Sequence, residues 1–183
     1  MKPPFEEAYW VEAGRLMAGA YPGEYETAVS ERRLRGLIQC GIRTFITLME
    51  AREESPDPRT EPAYARALER VAQHQRVRAD CQRFDIHDMS VPSHEQMDAI
   101  QSAIDASLAE ERPVYVHCWR GRGRTGTVVG AYLIRRGLAT PENFVEVISG
   151  LRGAAAGPFP GPSPETDAQV DFVRAWARTP RPG

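Results

Sequence analysis

Apolar residues recur at helical spacing at Met97, Ile100, Ile104 and Leu108, and Ser93 with Gln96 fits a capping box at the start of that helix. A different pattern follows. Val114-Tyr115-Val116 is an apolar, β-prone run that leads through His117 and Cys118 into Trp119-Arg120-Gly121-Arg122-Gly123-Arg124. A small-residue helical run then opens at Thr125 and continues to Arg136, so the pattern predicts a strand, a tight loop and a helix start in quick succession.

The rest of the chain is punctuated in the same way. Tyr9 to Val11 and Arg15 to Ala18 predict short strands around Ala13-Gly14, with a turn at Tyr21-Pro22-Gly23. Ser30 to Cys40 predicts a helix with Leu34, Leu37 and Ile38 on one face and Gly41 as its stop. Ile42 to Leu48 reads as a strand covered on both faces, and Ala51 to Glu61, with Pro56 and Pro58, as an exposed loop. A helix bearing Tyr64, Leu68 and Val71 and an extended segment from Val77 to Ile86 come next. Gly126 and Gly130 suit close approach of the Thr125 helix to a sheet. Thr140-Pro141 predicts a helix start running to about Leu151, and Gly153 to Pro162 a loop. Ser163-Pro164-Glu165 predicts the start of a last helix with Val170, Val173 and Trp176 facing the core, and the chain frays after Arg178.

Composition narrows the classes. A chain of 183 residues with 42% hydrophobic content suits one domain, with a core large enough to need neither disulfides nor a structural metal. The 23 basic and 25 acidic residues leave a net charge of −2, so no global basic field argues for nucleic acid or an anionic membrane. Cys40, Cys81 and Cys118 make an odd count without metal-like spacing. No apolar run reaches membrane-spanning length and the N-terminus lacks a signal-peptide core, so the expectation is a cytoplasmic protein without stable membrane insertion, cofactor or metal.

The informative charge is local. Gly121 and Gly123 let several amides point into one concavity, and the following helix adds its unsatisfied N–H groups and positive dipole end. Arg124, six residues after Cys118, can return a planar guanidinium to grip two oxygens of a phosphate. The same positive field favours Cys118 as a thiolate nucleophile. A displacement at phosphorus also needs a proton for the departing oxygen. The loop before the Ser93 helix, Phe84-Asp85-Ile86-His87-Asp88-Met89-Ser90-Val91-Pro92, offers Asp88, with Asp85 as the competing carboxylate. His87 and His94 lack metal-binding spacing and read as exposed loop residues.

His117-Cys118-x5-Arg124-Thr125 resembles the signature of the cysteine-dependent protein tyrosine phosphatases, and the chain's brevity resembles their dual-specificity branch. The resemblance implies a single α/β domain over residues 1–183, its core about 9–178, with a central mixed four- to five-stranded sheet flanked by helices and no cofactor. It implies Cys118 as nucleophile and Asp88, thirty residues earlier in an Ile-x-Asp-x-x-x-Pro-Ser segment, as general acid. It further implies Trp119, Arg120, Gly121, Arg122, Gly123 and Arg124 as the phosphate-binding loop, His117 as the residue shaping it, and the Thr125 hydroxyl as a cap that also eases departure of the thiolate. Gln169 resembles a water-positioning glutamine, although the family pattern favours glutamine where this chain has Glu165. In some relatives a second cysteine protects the first, a part that Cys81 would take here.

The implied substrate is a phosphorylated protein. Arg120 and Arg122 resemble the paired cations of phosphoinositide-directed members and keep a lipid or other small phosphate ester as the alternative. A noncatalytic phosphate-binding module is the reading from another class, and it would need neither Cys118 nor Asp88. Oligomeric state is not legible from the sequence.

Overall fold

The computed structural model describes residues 2–23, 27–54, 63–153 and 160–179. Five strands, β1 (Ala8–Glu12), β2 (Leu16–Ala20), β3 (Thr44–Thr47), β4 (Asp80–Arg83) and β5 (Val114–Cys118), form one mixed sheet in the order β1-β2-β5-β3-β4. Gly14, at φ +73°, turns β1 back into the antiparallel β2, and the other three neighbour pairs are parallel. Seven helical segments are described: α1 (Thr27–Gln39), α2 (Ala51–Glu54), α3 (Ala63–His74), α4 (His94–Ala109), α5 (Gly123–Arg135), α6 (Phe144–Arg152) and α7 (Asp167–Arg178).

The period-2 alternation of β5 divides the core. Tyr115 joins Met17, Phe45, Leu34, Leu37 and Leu68 beneath α1 and α3, whereas Val114, Val116 and Cys118 join Met97, Ile100, Val128, Val129 and Trp176 beneath α4, α5, α6 and α7. Both faces of the central strands are therefore covered, which accounts for the near-continuous apolar runs at Leu16 to Ala20 and Val114 to Val116. Each fully buried Val, Leu or Ile side chain in these layers contributes roughly 1.5–3 kcal/mol relative to exposure.

Several boundaries differ from the sequence expectation, each for a local reason. The Thr140-Pro141 signal makes only a turn, in which Thr140 Oγ1 accepts from the Glu142 amide at 3.3 Å and Asn143 Oδ1 from the Thr140 amide at 2.7 Å, and α6 proper starts at Phe144. The Ser163-Pro164 bond is cis, and α7 starts only after Thr166, whose side chain and that of Gln169 form a reciprocal capping box. Gly126 and Gly130 face away from the sheet. A Cβ at Gly126 would come within 2.3 Å of Ser163 Oγ, and one at Gly130 within 2.7 Å of Phe144, so the small residues admit the segments around α6 and α7. Part of the expected Ala51 to Glu61 loop is the short helix α2. Residues 55–62, most of the Gly153 to Pro162 loop and the final four residues lie outside the described residues.

Parallel pairing brings the carboxyl ends of β2, β3 and β5 to one edge, with Ala20 opposite Cys118 and Thr47 opposite His117. The turn after β5 packs directly on β2: Gly121 has φ +67°, and a Cβ there would lie 2.4 Å from the Gly19 carbonyl carbon. Gly19 is equally confined, since its own Cβ would meet Glu7 O at 2.4 Å and Tyr115 Oη at 2.6 Å. Gly19→Ala is expected to destabilise the fold by roughly 1–3 kcal/mol through overpacking, measurable as a fall in the urea midpoint.

His117 sits inside this core, with its ring 5.6 Å from Tyr115, 5.4 Å from Tyr64 and 5.8 Å from Tyr21. Burial pushes its pKa down from 6.5 to about 3. The folded ring stays neutral while the unfolded one takes up a proton near pH 6.5, so this contribution to stability is complete above that pH. It is lost as pH falls towards 3, by up to about 1.4 kcal/mol per unit. Denaturant midpoints at several pH values are expected to fall less steeply below pH 6.5 in His117→Asn than in the wild type.

Candidate active site

Cys118 ends β5, nearly buried, at the floor of a cleft of about 400 Å³ that opens at the carboxyl edge of the sheet. Crevices form at such edges because strands stop there while the helices on both faces continue outward. Trp119, Arg120, Gly123 and Arg124 line the cleft from the loop after Cys118, Asp88 and Met89 from the segment before α4, and Glu53 and Glu165 from the remaining sides. The structure thus brings the thiol, the guanidinium and the carboxylate expected from the sequence into one space. Asp85 lies elsewhere, exposed, its carbonyl accepting from Gln96 Nε2 at 2.9 Å.

The best-determined group is Arg124, in the first turn of α5 and almost wholly buried. Its Nη1 and Nη2 donate to Glu53 Oε1 and Oε2 at 2.6 and 2.8 Å, a bidentate pair. Nη1 also donates to Ile86 O at 2.9 Å, and Nη2 lies 3.0 Å from Asp88 Oδ1. Burial opposes the charge, but the Glu53 hydrogen bonds and the neighbouring Cys118, Glu53 and Asp88 outweigh it and hold the guanidinium's pKa up. Nε is left buried without a protein partner. A braced cation with one unsatisfied donor beside a buried thiol fits an anionic oxygen at that place.

Glu53 escaped the sequence reading. It lies 71 positions from Arg124 in the charged run Arg52-Glu53-Glu54, where nothing distinguishes it from a solvated glutamate. Its Oε1 also accepts from the Glu50 amide at 2.8 Å, so the same carboxylate closes the α2 turn.

Asp88 is two-thirds exposed, at the tip of a turn closed by Ser90 N donating to His87 O at 3.0 Å. Met89 next to it adopts φ +62°, a left-handed conformation rare for an unbranched apolar residue, and leaves its side chain half exposed. Trp119, 45% exposed, also lines the cleft and stacks on Tyr21 at 5.5 Å and 16°. Two exposed apolar side chains therefore border the charged cleft.

Other expected site residues differ in their surroundings. His117 is buried behind Cys118 with Nε2 3.3 Å from Tyr64 Oη. Thr125 is not a cap: α5 begins at Gly123, Arg122 occupies the cap position, and Thr125 Oγ1 is buried without a partner. Arg122 does not line the cleft: its Nη1 lies 3.4 Å from Glu165 Oε1 and its Nε donates to Pro162 O at 3.4 Å. Gln169 is fully buried behind Gly123, while Glu165 borders the cleft. His87 is exposed and pairs with Glu50 at 3.0 Å; His94 is half-buried against Phe172.

Cys81 is out of reach of Cys118. It pairs with Phe45, which pairs with Tyr115, so the two thiols are two strands and three positions apart. That is about 14 Å from standard strand spacings, against a disulfide limit of about 7 Å between Cα atoms. Among the described residues no His, Cys, Asp or Glu side chains converge as a metal site, and no helix is long and apolar enough to cross a membrane.

Comparison with known proteins agrees with this geometry. The solved structures of PTPMT1 in complex with PI(5)P (22% identity, TM-score 0.67, covering 94% of this chain and 95% of that one) and Tk-PTP in the active form (23%, 0.60, 93% and 96%) share the fold. So does a human tyrosine phosphatase-like serine/threonine/tyrosine-interacting protein (16%, 0.64, 94% and 96%). An uncharacterised protein of Methanocaldococcus jannaschii, MJ0215, is 37% identical over 60 residues, 33% of this chain and 38% of that protein, so the chain spans well under half the length of this curated relative. Residues 19–138, well over half of the chain, match the family described as "Polymorphic toxin system, DSP-PTPase phosphatase", and the chain belongs to that family of phosphatases.

Proposed function

We propose that the chain hydrolyses phosphomonoesters through a phosphocysteine intermediate, with phosphotyrosine and other phosphorylated protein side chains as its substrates. The observation that carries this reading is Arg124: a buried guanidinium braced by Glu53 and Ile86, beside Cys118, with Nε unsatisfied. In the first step the Cys118 thiolate forms a bond to phosphorus as the ester P–O bond breaks, and Asp88 gives its proton to the leaving oxygen. Arg124 and the amides of Trp119 to Gly123 hold the equatorial oxygens. In the second step water attacks phosphorus, Asp88 takes its proton, and the S–P bond breaks to return the thiolate and release inorganic phosphate.

The buried Thr125 hydroxyl, lacking another partner, donates to the sulfur as it departs, and His117 shapes the loop as a neutral ring. Positive charge comes from Arg124 and the backbone, so this route calls for no metal or organic cofactor. The reaction needs Cys118 as a free thiol, which suits a reducing, cytoplasmic setting.

The flat Trp119 and flexible Met89 in the cleft lining favour an aryl ester, and the pairing of Arg122 with Glu165 weakens the case for a polyanionic headgroup. A phosphoinositide or other small phosphate ester is the second reading. It is supported by Arg120 in the cleft lining and by the PTPMT1 structure solved with PI(5)P. Inorganic phosphate release from phosphopeptides and from phosphoinositide vesicles, assayed side by side, separates the two by their kcat/KM ratio.

Cys118→Ser is expected to abolish turnover of phenyl phosphate while circular dichroism stays that of the wild type; retained turnover would overturn the nucleophile assignment and favour a binding module. Asp88→Asn is expected to lower kcat/KM for phenyl phosphate by about 10²–10⁴-fold. Glu53→Ala leaves the Arg124 charge buried and half-paired. It is expected to destabilise the protein by roughly 3–5 kcal/mol in urea titrations and to raise KM.

A further inference from the structure

Gln169 is fully buried in the first turn of α7, and its amide orientation is over-determined. Oε1 accepts from the Glu165 and Thr166 amides at 3.0 and 3.2 Å, which only an oxygen can do, and this turns Nε2 towards Ser90, whose carbonyl it meets at 3.1 Å. Ser90 stands two residues after Asp88. The same amide rests on the phosphate-loop backbone, since a Cβ at Gly123 would come within 2.9 Å of Nε2 and 3.0 Å of Oε1.

The turn that carries Asp88 is thus anchored from both sides. Upstream, Ile86 O accepts from Arg124 Nη1 at 2.9 Å; downstream, Ser90 O accepts from Gln169 Nε2. Between these anchors lie an exposed carboxylate and a methionine in the left-handed conformation, a backbone state that persists only where its surroundings hold it. We propose that Gln169 is a positioning residue for the general acid. Through Ser90 it fixes the reach of Asp88 over the phosphate loop, without itself touching substrate. This rests on Asp88 being the acid of the proposed mechanism.

The experiment compares kcat/KM for phenyl phosphate, whose phenol has a pKa of about 10 like tyrosine, with that for p-nitrophenyl phosphate, whose leaving group departs without a proton. Gln169→Glu keeps an oxygen for the Glu165 and Thr166 amides but sets an acceptor against the Ser90 carbonyl; Gln169→Leu removes both interactions and serves if the charged variant does not fold. Thr166→Ala removes the other half of the capping box, where Thr166 Oγ1 accepts from the Gln169 amide at 3.2 Å, and leaves the Ser90 bond.

The expected result for Gln169→Glu is a loss of about tenfold on phenyl phosphate, with less than about threefold on p-nitrophenyl phosphate and no further loss in an Asp88→Asn background, as for a group acting through the acid. Thr166→Ala is expected to lower Tm with the ratio between the two substrates unchanged. Equal losses on both substrates, a loss that persists in the Asp88→Asn background, or the same ratio change in Thr166→Ala would overturn the proposal. A fall in kcat alone, with kcat/KM intact, would also overturn it and assign Gln169 to the water step. If Asp88→Asn itself leaves phenyl phosphate turnover unchanged, the acid assignment fails and the proposal falls with it, whereas a Gln169 failure beside an impaired Asp88→Asn spares the mechanism.

Discussion

A buried positive charge governs this site. A guanidinium cannot be taken out of water unless its donors are met and its charge is balanced, and Arg124 meets that constraint by drawing on two distant segments at once. Glu53 reaches it from the turn after β3, and Ile86 O with Asp88 from the turn after β4. Pairing of β3 with β4 already brings these segments together, and Ile86 N donating to Leu48 O at 3.3 Å continues that pairing beyond the strands. Arg124 then ties the ends of both to the loop after Cys118, so that Glu53 and Asp88 face the same floor.

The scaffold makes that obligation workable by packing backbone on backbone. Glycines at 19 and 121 bring the loop after β5 onto β2, and the glycine at 126 admits the Ser163-Pro164 segment beside the same loop. Arg122 then ties the loop outward through Glu165 and Pro162, and Ser163 Oγ donates to its carbonyl at 2.9 Å. The loop is held from within by Arg124 and from outside by Arg122. Two arginines that look equivalent along the chain therefore have opposite tasks, one turned to the floor of the cleft and the other to its wall.

What could be read from the sequence was what local chemistry determines. The β-prone run into Cys118, the glycines after it and the Ser93 start of α4 are signals carried by neighbouring residues, and each element formed where they stand. That Asp88 would stand beside Cys118 and Arg124 was legible from its loop and spacing. Glu53 was not, because its significance lies in a partner 71 positions away and its own surroundings are uniformly charged. The starts of α6 and α7 misled for a related reason. Proline after a hydroxyl residue is a valid start signal, but Asn143 Oδ1 accepting from the Thr140 amide closes a turn ahead of α6, and the Thr166–Gln169 box caps α7 two residues after Pro164. The pairing of Arg122 with Glu165 was not legible either, because charge along a chain does not reveal which way a side chain turns.

The separation of the three cysteines has a chemical corollary. Cys40 sits at the opposite end of the sheet, beside Gly41, whose Cβ would touch Pro113 ahead of β5, and Cys81 is two strands away. A thiolate at Cys118 that met peroxide would become a sulfenic acid with no resolving thiol of its own chain in range. Recovery would then fall to a backbone amide or to a small thiol entering the cleft, which makes the surrounding thiol pool the safeguard against over-oxidation.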